Sequence, residues 1–216
     1  SIGKYTFTFN GCVFHVDGNN SNFSSIDGVL YTKNQTTLIQ CPVSKTGSFD
    51  VPSSVTSIGE GAFERCSGLT SVNIHNSVNF IGDHAFESCT GLTSLTIPNS
   101  VTSIGNFAFY KCIGLTSVTI TSAVINLPNS ETFIGDYAFD KCIGLTSLYA
   151  NSAIPINLRL NSDANYTGFN SGITLYVPTG SRSLYLVAPV WKDFKYIVEH
   201  IVTGIATVSP SSFNIR

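Results

Sequence analysis

Apolar positions in the middle of this chain recur in a fixed phrase. Ile-Gly-x-x-Ala-Phe-x-x-Cys-x-Gly-Leu-Thr-Ser begins at Ile58, Ile81, Ile104 and Ile134. The first two steps are 23 residues each (81 − 58 and 104 − 81), and the third is 30 (134 − 104), an insertion of seven. Self-similarity at such a period predicts a stack of like coils, not a globule around one central core.

One coil can be read from Gly91 to Cys112. Leu92, Leu95 and Ile97 match a Leu-x-x-Leu-x-Leu core with a short strand at Leu95 to Ile97, Thr96 pointing to the opposite side. Pro98 cannot donate to a ladder and ends the strand. After a turn at Asn99-Ser100, Val101 and Ile104 give a second apolar anchor. Gly105 is read as a sharp bend, and Phe107 to Cys112 as about one helical turn. Stacked coils then place Leu on Leu, Phe on Phe and Cys on Cys. Val51-Pro52 and Val177-Pro178 align with Ile97-Pro98, so six strands from Ser48 to Val177 form a concave sheet. The predicted fold is a leucine-rich-repeat solenoid, a right-handed, β-dominated α/β superhelix.

Open solenoid ends need caps. At the front, Tyr5 to Phe9 and Cys12 to Val16 flank Asn10-Gly11, a strong type I′ hairpin signal. A second hairpin follows Asp27-Gly28, with Val29–Thr32 and Leu38–Cys41 as arms. At the back, Thr179 caps a short helix running to Val187, and Trp191, Phe194, Ile197 and Val198 at helical spacing close the last coil. The chain thus divides into an N-terminal β-hairpin segment (1–25), a repeat domain with its caps (26–199) and a tail or linker (200–216). It starts at Ser1 and has no Met, which reads as a mature or trimmed fragment whose leader is not shown.

Composition narrows the chemistry. Only 11% of residues are charged, the net charge is −2 and no basic run exists, so nucleic acid and anionic membranes are not expected partners. Mean hydropathy is +0.21, yet no apolar run approaches the roughly 18 residues of a membrane span. The segment is therefore not expected to insert into a membrane. Cys66, Cys89, Cys112 and Cys142 share one repeat position and read as buried free thiols, since no CxxC or HxxxH spacing suggests zinc. Cys12 and Cys41 both lie in the front cap and could meet there. His15, His75, His84 and His200 have no recognisable spacing from a nucleophile, and no phosphate-loop, dinucleotide or Gly-x-Ser-x-Gly motif occurs. No enzyme activity, cofactor or metal is expected.

The pattern Leu-x-x-[Val/Ile]-x-Ile-Pro-x-Ser-Val-x-x-Ile-Gly-x-x-Ala-Phe-x-x-Cys, met by Leu92 to Cys112 at every defined position but the fourth, where Leu95 stands, resembles the BspA-type (Treponema-type) leucine-rich repeats. Gly28 to Tyr31 and Leu175 to Phe194 look like that family's ends. His75 departs from it where the strand-ending proline stands, and Ala150 where isoleucine does. The resemblance implies a surface-exposed or secreted protein of a host-associated bacterium or protist. It also implies adhesion to host matrix proteins or other cells, with no catalytic residues. Caps of this kind predict a monomer.

The ligand-facing column is expected to be Asp50, Asn73, Thr96, Thr119, Tyr149 and Tyr176, beside Ser48, Ser71, Ser94, Ser117, Ser147 and Thr174. Thr and Ser there, Thr96 and Thr119 among them, read first as solvated sheet residues. Tyr149 and Tyr176 form either a recognition patch, bordered by the insertion at Ala123–Pro128, or a cross-strand pair that only stabilises the sheet. The leading reading is an adhesin-like binding module for a host matrix protein, or a cell-surface protein or glycan. The alternative is a structural spacer holding another domain off the surface. Ice binding by the Thr/Ser ladder is a third reading, poorly suited to a curved face ending in tyrosines.

Overall fold

The structure, a computed structural model, describes residues 13–121, 131–155, 157–160, 168–169 and 172–202. It is a β-solenoid. In chain order its strands are β1 (Phe23–Ile26), β2 (Val29–Thr32), β3 (Thr37–Gln40), β4 (Gly47–Asp50), β5 (Ser57–Ile58), β6 (Leu69–Asn73), β7 (Phe80–Ile81) and β8 (Ser94–Ile97). Then follow β9 (Ser103–Ile104), β10 (Ser117–Ile120), β11 (Glu131–Ile134), β12 (Ser147–Ala150), β13 (Asn157–Leu160), β14 (Thr174–Pro178) and β15 (Tyr196–His200). Alternate strands fall into two rows. One row is the sheet β1-β2-β3-β5-β7-β9-β11-β13; the other comprises β4-β6 and the five-stranded β8-β10-β12-β14-β15. Pairing is parallel except at β1-β2 and β2-β3, the front hairpins.

Strand geometry follows the Leu-x-x-Leu-x-Leu spacing. Leu95, Val118, Leu148 and Leu175 pair in register and are buried, while the residues between them face out. The six expected strands are present, and β15 adds a seventh. Between β6 and β8 the ladder narrows, with the Thr93 amide donating to the Thr70 carbonyl at 3.3 Å.

The segment after each Ile-Gly is not the expected helical turn. In a helix each amide would bond within the segment. Here the amides of Phe107, Phe109 and Lys111 donate to Asp136, Ala138 and Asp140 of the next coil at 2.8–3.0 Å. The intervening amides of Tyr110 and Cys112 close tight turns onto Phe107 and Phe109. That alternation puts Phe107 and Lys111 at φ +55° and +59°, and the same two positions recur as His84 and Ser88, and as Tyr137 and Lys141. Only the first coil has glycine there, Gly61 at φ +64°. A non-glycine residue in this region costs about 1 kcal/mol, and the ladder to the neighbouring coil offsets it.

Gly105, read as a bend, serves instead as a point of contact. A β-carbon there would lie 2.4 Å from the Asp83 amide nitrogen of the preceding coil. Gly114 is held likewise, 2.3 Å from the Thr90 carbonyl oxygen. Stacked backbones touch at these two positions of each coil, and side chains are excluded.

Inside, Phe63, Phe86, Phe109, Phe139 and Phe169 stack at centroid spacings of 4.6–5.1 Å, within 17° of parallel. Phe49 ends the row edge-on to Phe63 at 5.3 Å. Beside them each thiol donates to a carbonyl of the preceding coil: Cys89 to Phe63, Cys112 to Phe86 and Cys142 to Phe109, at 3.0–3.1 Å. Burial pushes the Cys89 thiol up to about 12. Cys66 and Cys112 are raised too, first by hydrogen bonding with Cys41 and Cys142 and then by burial.

The back cap is a strand rather than a helix. Helix α1 is four residues, Arg182–Tyr185, and a single 3-10 turn covers Trp191–Asp193. Ile197 and Val198, expected at helical spacing, lie in β15 and pair with Leu175 and Tyr176. The reason is the edge of β14, whose backbone groups take a further strand as partner. Thr179 is not the cap of α1. Glu199 accepts from the amides of Gly180 and Arg182 at 3.0 and 3.1 Å and satisfies the helix start in its place. Trp191 and Tyr185 meet edge-on at 5.3 Å and close the core. The expected turn at Asn10-Gly11, the insertion 122–128 and the Cys12–Cys41 pairing fall outside the described residues, as does the tail from 203.

Phe109→Ala removes the middle ring of the stack and should lower the unfolding free energy by about 3–5 kcal/mol in denaturant titration; a loss below about 1 kcal/mol would contradict the stacked core. In a Cys12→Ser background, the five thiols at 41, 66, 89, 112 and 142 should resist a disulfide reagent at pH 8 and react fully in guanidinium. Because burial raises the folded-state pKa, the thiol contribution to stability is complete below the ordinary 9.0 and is lost as pH climbs toward about 12. Chemical unfolding between pH 8 and 11 should show stability falling with pH.

Candidate functional site

The outward positions of β4 to β15 line one side of the solenoid, carried by the β4-β6 pair and by the five-stranded ladder from β8 to β15. Asp50 pairs with Asn73, Thr96 with Thr119, Thr119 with Tyr149, Tyr149 with Tyr176, and Tyr176 with Val198. Every column residue expected to face a ligand therefore lies on this one face. Exposure is graded along it: Asp50, Asn73 and Thr96 are exposed, whereas Thr119, Tyr149 and Tyr176 are half-buried. Serines 48, 71, 94, 117 and 147 and Thr174 run alongside.

The two ends of the row differ in chemistry. At the front, Asn73 Nδ2 donates to Asp50 Oδ1 at 3.0 Å, which orients the carboxylate of this exposed residue. At the back, Tyr149 and Tyr176 stack face to face at 4.7 Å and 12°. Their spacing equals the strand separation, so the rings stand upright on neighbouring strands. His200 meets both rings side-on, at 5.4 Å and 81° for Tyr149 and 6.1 Å and 89° for Tyr176. Sequence reading assigned His200 to a tail and missed it. The available signal was the β-branched Ile197-Val198 pair beside Tyr196, which reads as strand as readily as helix. Among the described residues, His200 Nε2 and Asn151 Oδ1 are buried atoms that make no hydrogen bond.

A second aromatic row was also missed. His84, Phe107 and Tyr137 occupy the left-handed position of successive coils and stack at 5.2 Å, within 10° of parallel. Tyr110 packs edge-on against Phe107 at 5.5 Å, and Glu87 Oε2 lies 2.6 Å from His84 Nδ1. An aromatic or imidazole ring three residues after each repeat isoleucine, from the second copy onward, is the sequence signal for this row.

Asp83, Asn106 and Asp136 form a structural chain, not a set of acid–base groups. Asp83 Oδ1 accepts from the Asn106 amide and Asn106 Oδ1 from the Asp136 amide, each at 2.8 Å. Among the described residues, no group of three or more His, Cys, Asp or Glu side chains is arranged to hold a metal ion. No helix there is long and apolar enough to cross a membrane. What the arrangement offers is a row of hydroxyls between an aromatic wall and a hydrogen-bonded carboxylate.

Comparison with known proteins agrees with this architecture. The family model for the BspA type leucine rich repeat region matches six copies across residues 40–154, more than half of the chain. No curated protein sequence matches. A leucine-rich repeat protein from Eubacterium ventriosum superposes with a TM-score of 0.62 at 26% identity, over 74% of this chain and 40% of that one. The pneumococcal vaccine antigen PcpA gives 0.55 at 18% identity, over 86% and 49%. A leucine-rich repeat protein of T. pallidum gives 0.52 at 23% identity, over 69% and 67%. The chain thus spans less than half the length of the first two. The likenesses to PcpA and the T. pallidum protein bear on fold alone. With six repeat copies matched over more than half of its length, the chain belongs to the BspA type leucine rich repeat family.

Proposed function

We propose that this chain is a non-catalytic binding module, displayed at a cell surface or secreted, that recognises its ligand on the outward face of β4 to β15. The observation that carries the reading is the Tyr149–Tyr176 stack walled by His200, on a face otherwise built of small hydroxyls. Two stacked rings give a large amphipathic surface at little further entropic cost, the character of a binding hot spot. Display outside the cell is supported by the family itself. Partners in this reading are a host matrix protein, or a protein or glycan of another cell. Capped ends keep the module monomeric.

The test is binding of the purified chain to a panel of matrix proteins and glycans, beside a Tyr149→Ser/Tyr176→Ser variant whose thermal unfolding still shows a single cooperative transition. Saturable binding should weaken at least tenfold in the variant, a change of about 1.4 kcal/mol. Binding of equal strength in both proteins would remove the face from consideration. No binding by either would favour the spacer.

A further inference from the structure

We infer that the ligand of this face is a short neutral oligosaccharide, seated on the trough between Tyr149 and the Asn73–Asp50 pair. This rests on the reading of the face as the recognition surface and goes further by naming the ligand class.

The argument starts from the shape of the row. Tyr176 covers one face of the Tyr149 ring at 4.7 Å, and parallel stacking turns the other face toward the Thr119 column. Thr119 and Thr96 are too short to cover an upright tyrosine ring. They form a low floor that ends at Asn73, whose carboxamide is fixed on Asp50. From β6 to β12 is three strand steps, or about 14 Å, the length of a di- or trisaccharide. The trough therefore has an aromatic wall at one end, hydroxyls along its floor and an oriented amide and carboxylate at the other. Pyranose C–H faces stack on such rings, and sugar hydroxyls exchange hydrogen bonds with Thr, Ser, Asn and Asp.

Charge decides which sugars fit. The strands β4, β6, β8, β10, β12, β14 and β15 contain no Lys or Arg, and their carboxylates are Asp50 and Glu199. Glu199 is taken up by the start of α1. A sulfated or sialylated chain would meet Asp50 with no Lys or Arg on these strands to receive it, so neutral sugars are favoured. Size favours a sugar over a protein. Seven strands of four or five residues give a face of roughly 400 Å², against about 800 Å² per partner in a standard protein interface. A protein would have to extend well beyond this row, whereas an oligosaccharide is satisfied within it.

The experiment is titration calorimetry with cellotetraose, maltotetraose and triacetylchitotriose, with a sulfated heparin fragment as the anionic probe. Proteins tested are wild type, Tyr149→Ser, Tyr149→Trp and Asn73→Ala, each checked for wild-type thermal unfolding. The expected result is saturable binding of at least one neutral sugar. It should be about tenfold weaker in Tyr149→Ser, kept in Tyr149→Trp and weakened in Asn73→Ala. Binding of the sulfated fragment alone, or of no sugar, overturns the inference. A protein ligand that depends on Tyr149, with no sugar bound, overturns it while leaving the face as the recognition surface. Neutral-sugar binding indifferent to both positions overturns the face as well.

Discussion

Everything in this molecule depends on backbone lying against backbone from coil to coil. At the repeat glycines there is no room for a β-carbon: Gly82, Gly105 and Gly135 would each place one 2.4–2.7 Å from a backbone nitrogen of the coil before. That contact lets alternate amides of the turn segment reach carbonyls of the next coil, and it fixes the register in which side chains meet. Left-handed backbone at His84, Phe107 and Tyr137 is a local cost of about 1 kcal/mol each. Stacking of those rings at 5.2 Å returns an energy of the same order, about 0.5–1.5 kcal/mol per pair. The coil is therefore strained alone and satisfied in a stack, which is why the repeat comes in copies.

One step size then writes itself three times in aromatic rings. The buried phenylalanines, the His84–Phe107–Tyr137 row and the Tyr149–Tyr176 pair are all parallel stacks near 5 Å. In the first two the stack supports the fold. The tyrosine pair differs in standing on a face of small residues and in having His200 beside it. Position in the solenoid, not the interaction itself, separates a buried stack from one on an outward face.

Repetition made most of the fold legible. Leu, Phe, Cys and Gly recur at fixed offsets, so strand register, the buried rings and the thiol ladder could be read by laying one copy on the next. Placement of the six column residues on one face followed from the same alignment, which assigns them no role. Three features resisted. The turn after Ile-Gly read as helical because Phe107 to Cys112 has no glycine or proline to betray left-handed backbone; bonding to another coil, absent from local sequence, imposes it. Gly105 read as a bend because the neighbouring backbone that excludes its side chain is a whole repeat away. His200 joined the tyrosines through β15, and a segment with Ile197 and Val198 after an irregular cap reads as helix or strand until an open sheet edge chooses.

The most direct test of the central claim compares two glycine substitutions in denaturant unfolding. Gly105→Ala presses a methyl group onto the Asp83 amide, whereas Gly18→Ala meets nothing within 4 Å. If backbone contact sets the register, Gly105→Ala should lose more than about 2 kcal/mol while Gly18→Ala stays within about 0.5 kcal/mol of wild type. Equal stabilities would mean that the coils do not lie in the close register on which the fold depends.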